Sequence, residues 1–217
     1  MTEKNSAQKA KSIIIVTGMH RSGTSAITRC LNLYGATLPD GLLKPVKNDN
    51  EMGFWESQVL MELHDEILAS LGGSWSSLTP VPEQWFISPE AKLYKDRLIQ
   101  LINEQYQEID LAIVKDPRIC KLIPLWESAL AEMGVNPYYI ISLRNPMEIA
   151  QSLAIRNNFE LKYALSLWFV HLRILELNTR AANRVFIRYD DLLNNHSKFV
   201  SHLCENLPLP LNWQSVS

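Results

Sequence analysis

Apolar residues fall along this chain in two rhythms. Four short runs, at 13–16, 111–114, 138–143 and 185–187, are rich in β-branched or aromatic residues and mostly apolar. Runs without alternation read as strands buried on both faces, as parallel strands are. Between them the spacing turns helical. Residues 25–34 are amphipathic and stop at Gly35, a helix-terminating residue. Residues 56–71 set Leu60, Leu63, Ile67, Leu68 and Leu71 on one stripe before Gly72 and Gly73. Residues 159–182 place Leu161, Leu165, Trp168, Leu172 and Leu175 at helical spacing. Strands alternating with helices predict an α/β domain of three layers, with a central parallel sheet of four to five strands flanked by helices. The pattern assigns no place to the fifth strand. Residues 74–89, with three prolines and two tryptophans, read as an ordered loop.

Composition narrows the function classes. A chain of 217 residues suits one domain, expected over 13–217 behind a polar tail at 1–12. With 47% hydrophobic and 20% charged residues it has a globular composition. A formal charge of −2 argues against non-specific nucleic-acid or membrane-surface binding, so any anion site must be built locally. Cys30, Cys120 and Cys204 are widely spaced and lack metal-ligand spacing, which suggests reduced thiols in a cytoplasmic protein. The polar start and the five-residue run at 13–17 fit neither a signal peptide nor a membrane span, which needs roughly 18 apolar residues. Neither nucleic acid nor membrane is therefore an expected partner, and no metal is expected, since His64, His171, His196 and His202 form no ligand cluster.

The first candidate chemistry lies in "IIIVTGMHRSGTS", residues 13–25. Gly18 and Gly23 have the spacing of G-x-x-x-x-G-K-[ST], the phosphate-binding P-loop, and Ser25 closes the pattern. Thr24 stands where the lysine belongs, and Arg21 lies inside the loop. A glycine loop between a buried strand and a helix leaves backbone N–H groups at the positive end of the helix dipole, where phosphate oxygens fit. Loss of the lysine weakens the case for a triphosphate. A second element, "IISLRNPMEIAQS", runs from a strand into Arg144, Asn145 and Pro146 and then a helix reaching Ser152. Asn145 suits an N-cap and Pro146 the first helical position. Arg144 is thereby placed at the carboxyl end of a strand, where open parallel sheets bind ligands. Ser152 lies about 9 Å further along the helix axis. One bulky anion could touch both; the alternative is an arginine paired with a nearby acid and a serine facing water.

Together these motifs resemble the sulfotransferases that use 3′-phosphoadenosine 5′-phosphosulfate (PAPS). That family's 5′ loop, [RK]-S-G-T-[ST], is matched by Arg21, Ser22, Gly23, Thr24 and Ser25, and its 3′-phosphate element by Arg144 and a serine eight positions on, Ser152. "VKDPRI" and "FIRYDDLL" look like segments of its bacterial and carbohydrate-directed branches, and the likeness spans roughly residues 13–195. The resemblance implies a P-loop NTPase-like fold, PAPS as co-substrate held by His20, Arg21, Ser22, Gly23, Thr24, Ser25, Arg144 and Ser152, and sulfuryl transfer to a hydroxyl or amine of a small molecule or carbohydrate. A single 5′-phosphate bearing a sulfate needs the loop but neither the lysine nor magnesium.

Sulfuryl transfer is an in-line displacement, served mainly by positioning and electrostatics. Arg21 is expected to stabilise charge on the leaving oxygen, since a guanidinium stays charged at any working pH. Glu56, in "NEMGFWES", is the candidate general base, read as opening a helix where the family places G-[FY]-x-E facing the acceptor; an acid in a first helical turn can equally be there for the dipole. His20 is the rival base. Lys115, after the second strand, is read as a sulfate or acceptor contact held by Asp116, with Arg118 structural. Tyr189 and Asp191 are expected to brace the fold. Trp75, Trp85 and Phe86 either line an acceptor pocket or pack on the core, and Trp168 is read as core.

Two other functions fit the same residues. A magnesium-dependent P-loop kinase would use Asp116 as its metal-binding acid, against which stand Thr24 in the lysine position and Lys115 directly before that acid. A non-catalytic nucleotide-binding protein would keep the fold without the transfer. The sequence ends soon after "LPLPLNW", without the glycine-rich segment that many cytosolic sulfotransferases close over the 3′-phosphate.

Overall fold

Each of the four apolar runs forms a strand: β1 at Ser12–Thr17, β2 at Leu111–Lys115, β3 at Asn136–Leu143 and β4 at Asn183–Arg188. The computed structural model describes residues 12–47, 49–106, 109–209 and 211–212, so the expected tail lies outside the described residues except for Ser12, which opens β1. All pairings are parallel, in the order β2-β1-β3-β4. Among the described residues the sheet has four strands. At its β2 edge Thr37 makes only an isolated parallel bridge to Ala112.

The two-residue period of β1 explains the layers. Ile13 and Ile15 enter one core, packed by α2 (Gln58–Ser70), α3 (Pro89–Gln105) and α4 (Ile119–Met133). Ile14 and Val16 enter the other, with Ile27 and Leu31 of α1 (Thr24–Leu33) and Phe199 and Leu203 of α8 (His196–Asn206). Both faces of the strand are dry, which is why no alternation shows in the sequence; each such side chain contributes about 1.5–3 kcal/mol by burial. A third cluster joins Met19 to Ile149 and Leu153 of α5 (Pro146–Asn157) and Ala164 and Leu167 of α6 (Leu161–Asn178). A short helix, α7 (Tyr189–Asn194), follows β4 directly.

Several boundaries move. The expected helix at 56–71 begins at Gln58, because the Oγ of Ser57 accepts the Leu60 N–H at 3.3 Å as its N-cap; Glu56 therefore precedes the helix instead of opening it. The helix expected at 159–182 is α6, shorter at both ends. Within 74–89 the chain forms a 3-10 turn at Glu83–Ile87, and Ser88 then caps α3 by accepting the Ala91 N–H. Trp168 is only half-buried, at the edge of the third cluster. No helix among the described residues is long and apolar enough to cross a membrane.

The strand order fixes where a ligand can bind. From β1 the chain crosses to β2 on one side and then back to β3 on the other, so the order reverses at β1. Loops leaving β1 and β3 part at that point and open a crevice at the carboxyl edge of the sheet. The glycine loop follows β1, and Arg144 follows β3.

Candidate active site

The loop after β1 needs its glycines. Gly23, at φ 94°, is the left-handed N-cap of α1. A Cβ there would stand 2.1 Å from the ring of Tyr189, so this residue must be glycine for the ring to cover the loop. Arg21 takes a left-handed conformation, φ 69°, without being glycine. Such a backbone costs about 1–3 kcal/mol, and it persists only where the surroundings hold it. Here the Ser142 hydroxyl donates to the Ser22 carbonyl at 2.7 Å, and Arg144 Nη1 donates to the Arg21 carbonyl at 3.1 Å. Among the described residues, the N–H groups of Gly23, Thr24 and Ser25 make no backbone hydrogen bond in the loop, which leaves them at the positive end of α1.

The Arg21 side chain ties this loop to α5. Its Nε donates to Ser152 Oγ at 2.7 Å and its Nη1 pairs with Asp49 Oδ1 at 2.8 Å. The α5 start is as its residues demand: Asn145 accepts the Met147 N–H at 2.9 Å and Pro146 is the first helical residue. Arg144 pairs with Glu148 at 2.8 Å, and its guanidinium carbon lies 5.1 Å from the centroid of the Tyr189 ring. Of the second alternative the acid beside Arg144 is found, but the Ser152 hydroxyl does not face water. Arg144 has an acid beside it and still lines the crevice, whereas the Ser152 hydroxyl is engaged by Arg21.

Glu56 and Lys115 form a buried ion pair, 5% and 4% exposed. The Lys115 ammonium also donates to Ser25 Oγ at 3.2 Å and to the Phe54 carbonyl at 3.1 Å. Burial pushes the Glu56 carboxyl above its ordinary range, with Lys115 pulling the other way. Asp116 does not hold the lysine. Its Oδ1 takes the Arg118 N–H at 2.8 Å and the Arg118 guanidinium at 3.0 Å, and its Oδ2 meets His64 Nδ1 at 2.8 Å. Trp126 Nε1 donates to His64 Nε2 at 3.0 Å, so the neutral imidazole carries its hydrogen on Nδ1, toward Asp116. Burial would raise the Asp116 carboxyl, but Arg118 and His64 hold it well below the carboxylate range. Arg118, expected to be structural, does pair with Asp65 and Asp116, and it also lines the crevice.

His20 packs 4.2 Å from the Trp75 ring, and its Nε2 is buried without a hydrogen-bond partner among the described residues. Burial holds this histidine well below its ordinary pKa, with Arg118 and Arg156 adding to the effect. Trp75 lines the crevice, whereas Trp85 is core and Phe86 packs against it. Tyr189, expected only to brace the fold, lines the crevice as well.

Arg21, Ser25, Glu56, Lys115, Arg118 and Arg144 line one cavity of about 1210 Å³. Arg144 stands on its Gly23–Tyr189 side. Arg156 stands on its His20–Trp75 side, 5.5 Å from the Trp75 ring centroid. Sequence reasoning missed Asp49 and Arg156. Asp49 sits in a polar stretch with no motif; Arg156 follows Ser152 by four residues, hence on the same helical face, and that spacing was the available signal. Among the described residues no group of three His, Cys, Asp or Glu side chains is arranged to hold a metal ion.

A parallel sheet reversing at β1, with a glycine loop at the reversal, defines an α/β protein with its crevice at the switch point. Its likenesses among solved structures make the fold more specific. The sulfotransferase domain from the Synechococcus PCC 7002 olefin synthase superposes with a TM-score of 0.50 at 18% identity, over 96% of this chain and 78% of that one. The sulfotransferase domain from the curacin biosynthetic pathway gives 0.53 at 18%, over 93% and 75%. The sulfotransferase STF1 from Mycobacterium tuberculosis H37Rv gives 0.53 at 16%, over 95% and 70%. The chain has the sulfotransferase fold. No protein-family model and no curated protein matches it.

Proposed function

We propose that this protein is a PAPS-dependent sulfotransferase acting on a hydroxyl or amine of a small molecule or carbohydrate. The observation that carries this reading is the interlock of the two anion elements across one cavity: Arg144 donates to the Arg21 carbonyl while Arg21 donates to Ser152. The donor set fits the nucleotide. The loop with Arg21, Thr24 and Ser25 suits a 5′-phosphosulfate, and Arg144 beside Tyr189 suits a second, separated phosphate. The bound nucleotide would supply an activated sulfuryl group.

The chain's own part is positioning and charge. Glu56 takes the proton of the acceptor O–H as that oxygen bonds to sulfur and the sulfur–oxygen bond to the 5′-phosphate breaks. Arg21 and the amide groups at the start of α1 stabilise the charge left on that phosphate oxygen. Once Glu56 is protonated, Lys115 loses its counter-ion and its ammonium becomes available to the same charge. His20 is the poorer base, because an imidazole held well below its ordinary pKa takes up a proton reluctantly. A kinase is disfavoured by Lys115, whose ammonium donates to the Ser25 hydroxyl, the group that would carry magnesium in a P-loop kinase.

Thermal shift with 3′-phosphoadenosine 5′-phosphate (PAP), AMP and ATP tests the reading. PAP should stabilise most, and Arg144→Ala should remove its advantage over AMP, an affinity loss of about 10–100-fold from roughly 1.5–3 kcal/mol. Equal stabilisation by AMP would refute the role of Arg144, and activity abolished by EDTA would favour the kinase.

A further inference from the structure

The cavity's cations are not equally engaged. Arg29 and Lys44 line it from exposed positions; of the cations set deeper, Arg21 has Asp49, Lys115 has Glu56, Arg118 has Asp65 and Asp116, and Arg144 has Glu148. Arg156 is half-buried, lines the same cavity and has no carboxylate at ion-pair distance among the described residues. Its Nε is used by Asn157 Oδ1 at 2.7 Å, while its two terminal nitrogens make no hydrogen bond among those residues. A guanidinium so placed keeps open the forked edge that matches a carboxylate or phosphate.

Arg156 stands one helical turn beyond Ser152 on α5, and its ring partner differs from that of Arg144. Arg156 packs on Trp75, which packs on His20, and so lies across the loop from Arg144 and Tyr189. The charges that act on it are Asp49, Arg21, Glu56 and Arg118, the groups around the proposed sulfuryl and proton transfers. Burial and two like charges weaken its hold on its proton, so an anion brought against it would relieve both. Packing against the Trp75 indole, 5.5 Å from its centroid, restricts the guanidinium and lowers the entropy cost of a two-point contact.

Building on the sulfotransferase reading, we infer that Arg156 anchors an anionic acceptor, one bearing a carboxylate or phosphate beside the hydroxyl that is sulfated. Trp75 orients the arginine, and the anion's contact with its terminal nitrogens holds the acceptor hydroxyl beside Glu56. Neutral acceptors lack this anchor.

Calorimetry on the full chain tests this in two stages. PAP is titrated first, into wild type, Arg156→Gln and Arg156→Lys. Three matched pairs are then titrated into the PAP-saturated proteins: 4-hydroxyphenylacetate and its amide, 3-hydroxybutyrate and its amide, glucose 6-phosphate and glucose. The expected result is that all three proteins bind PAP alike, which also reports that they fold. At least one anion should bind wild type about tenfold or more tightly than its neutral partner. Arg156→Gln should bring that ratio to near one, and Arg156→Lys, which keeps the charge without the fork, should fall between. PAP binding with no preference in any pair, or a preference that survives Arg156→Gln, overturns the anchor and leaves the sulfotransferase reading standing. Failure of wild type to bind PAP overturns both.

Discussion

Glu56 and Lys115 are each buried where a lone charge would be costly, so each leans on the other, with the Arg118 guanidinium a second cation 3.7 Å from Glu56. This pairing separates the two readings that the sequence left open for Glu56. As a carboxylate merely complementing a helix dipole it would sit in the first turn; instead it stands before the Ser57 cap, against Lys115 and facing the cavity. Glu56→Gln should lower kcat by about 10²–10⁴ with little change in PAP affinity. The pH profile follows from burial. As the proposed base Glu56 must be ionised to work, and burial raises its pKa, so the wild-type rate should fall as pH drops through a midpoint above 4.5. The Gln variant should show no such limb; the same limb in Glu56→Gln would exclude Glu56 as its source. The residues 21–25, 144 and 152 were legible because short-range spacing sets them on one loop and one helix. Asp49 and the Glu56–Lys115 pair were not, since they come together only through tertiary packing.

Among the elements, the glycine loop is shaped as much by what covers it as by what precedes it. Tyr189 lies where a Cβ on Gly23 would be, so the start of α7 and the start of α1 are mutually fitted. Gly23→Ala should lower stability by about 1–3 kcal/mol through backbone strain alone, and displacement of the ring should weaken PAP binding further. Melting and calorimetry on this one variant measure the two effects; unchanged melting and unchanged PAP affinity would mean that the ring yields without consequence. The strands were readable because parallel strands dry on both faces leave continuous apolar runs. Of the four helices the sequence left unassigned, α3, α4, α7 and α8, the first two were hidden for opposite reasons. In α3 few positions are buried, Leu98 and Ile102 among them, so its stripe is thin. In α4 nearly every position from Ile119 to Trp126 is buried, so no polar face marks the period, and Pro124 within it reads as a breaker.

At the scale of the whole molecule, acid should loosen the fold through histidines that packing keeps neutral. His171, on α6, donates from Nδ1 to the Leu167 carbonyl at 2.8 Å; burial, aided by Lys121, pulls its pKa down to about 4. The unfolded chain, with an ordinary value of 6.5, binds more protons between these limits. Stability is therefore lost as pH falls from 6.5 toward 4, by about 2 kcal/mol between pH 7 and pH 5. His171→Gln should flatten the dependence of melting temperature on pH over that interval, and an unchanged slope would assign the acid sensitivity elsewhere.

The sheet order has a metrical consequence. Because the loop bearing Arg21 and the turn bearing Arg144 leave adjacent parallel strands, their roots are held about 4.8 Å apart by the rungs of the ladder itself. Side-chain substitutions can tune how firmly each root grips an anion, but the backbone spacing that carries them is part of the sheet. The cleft is thus a calliper whose zero is set by main-chain geometry, and a change of span would require a change in the loops beyond the strands and not in the sheet.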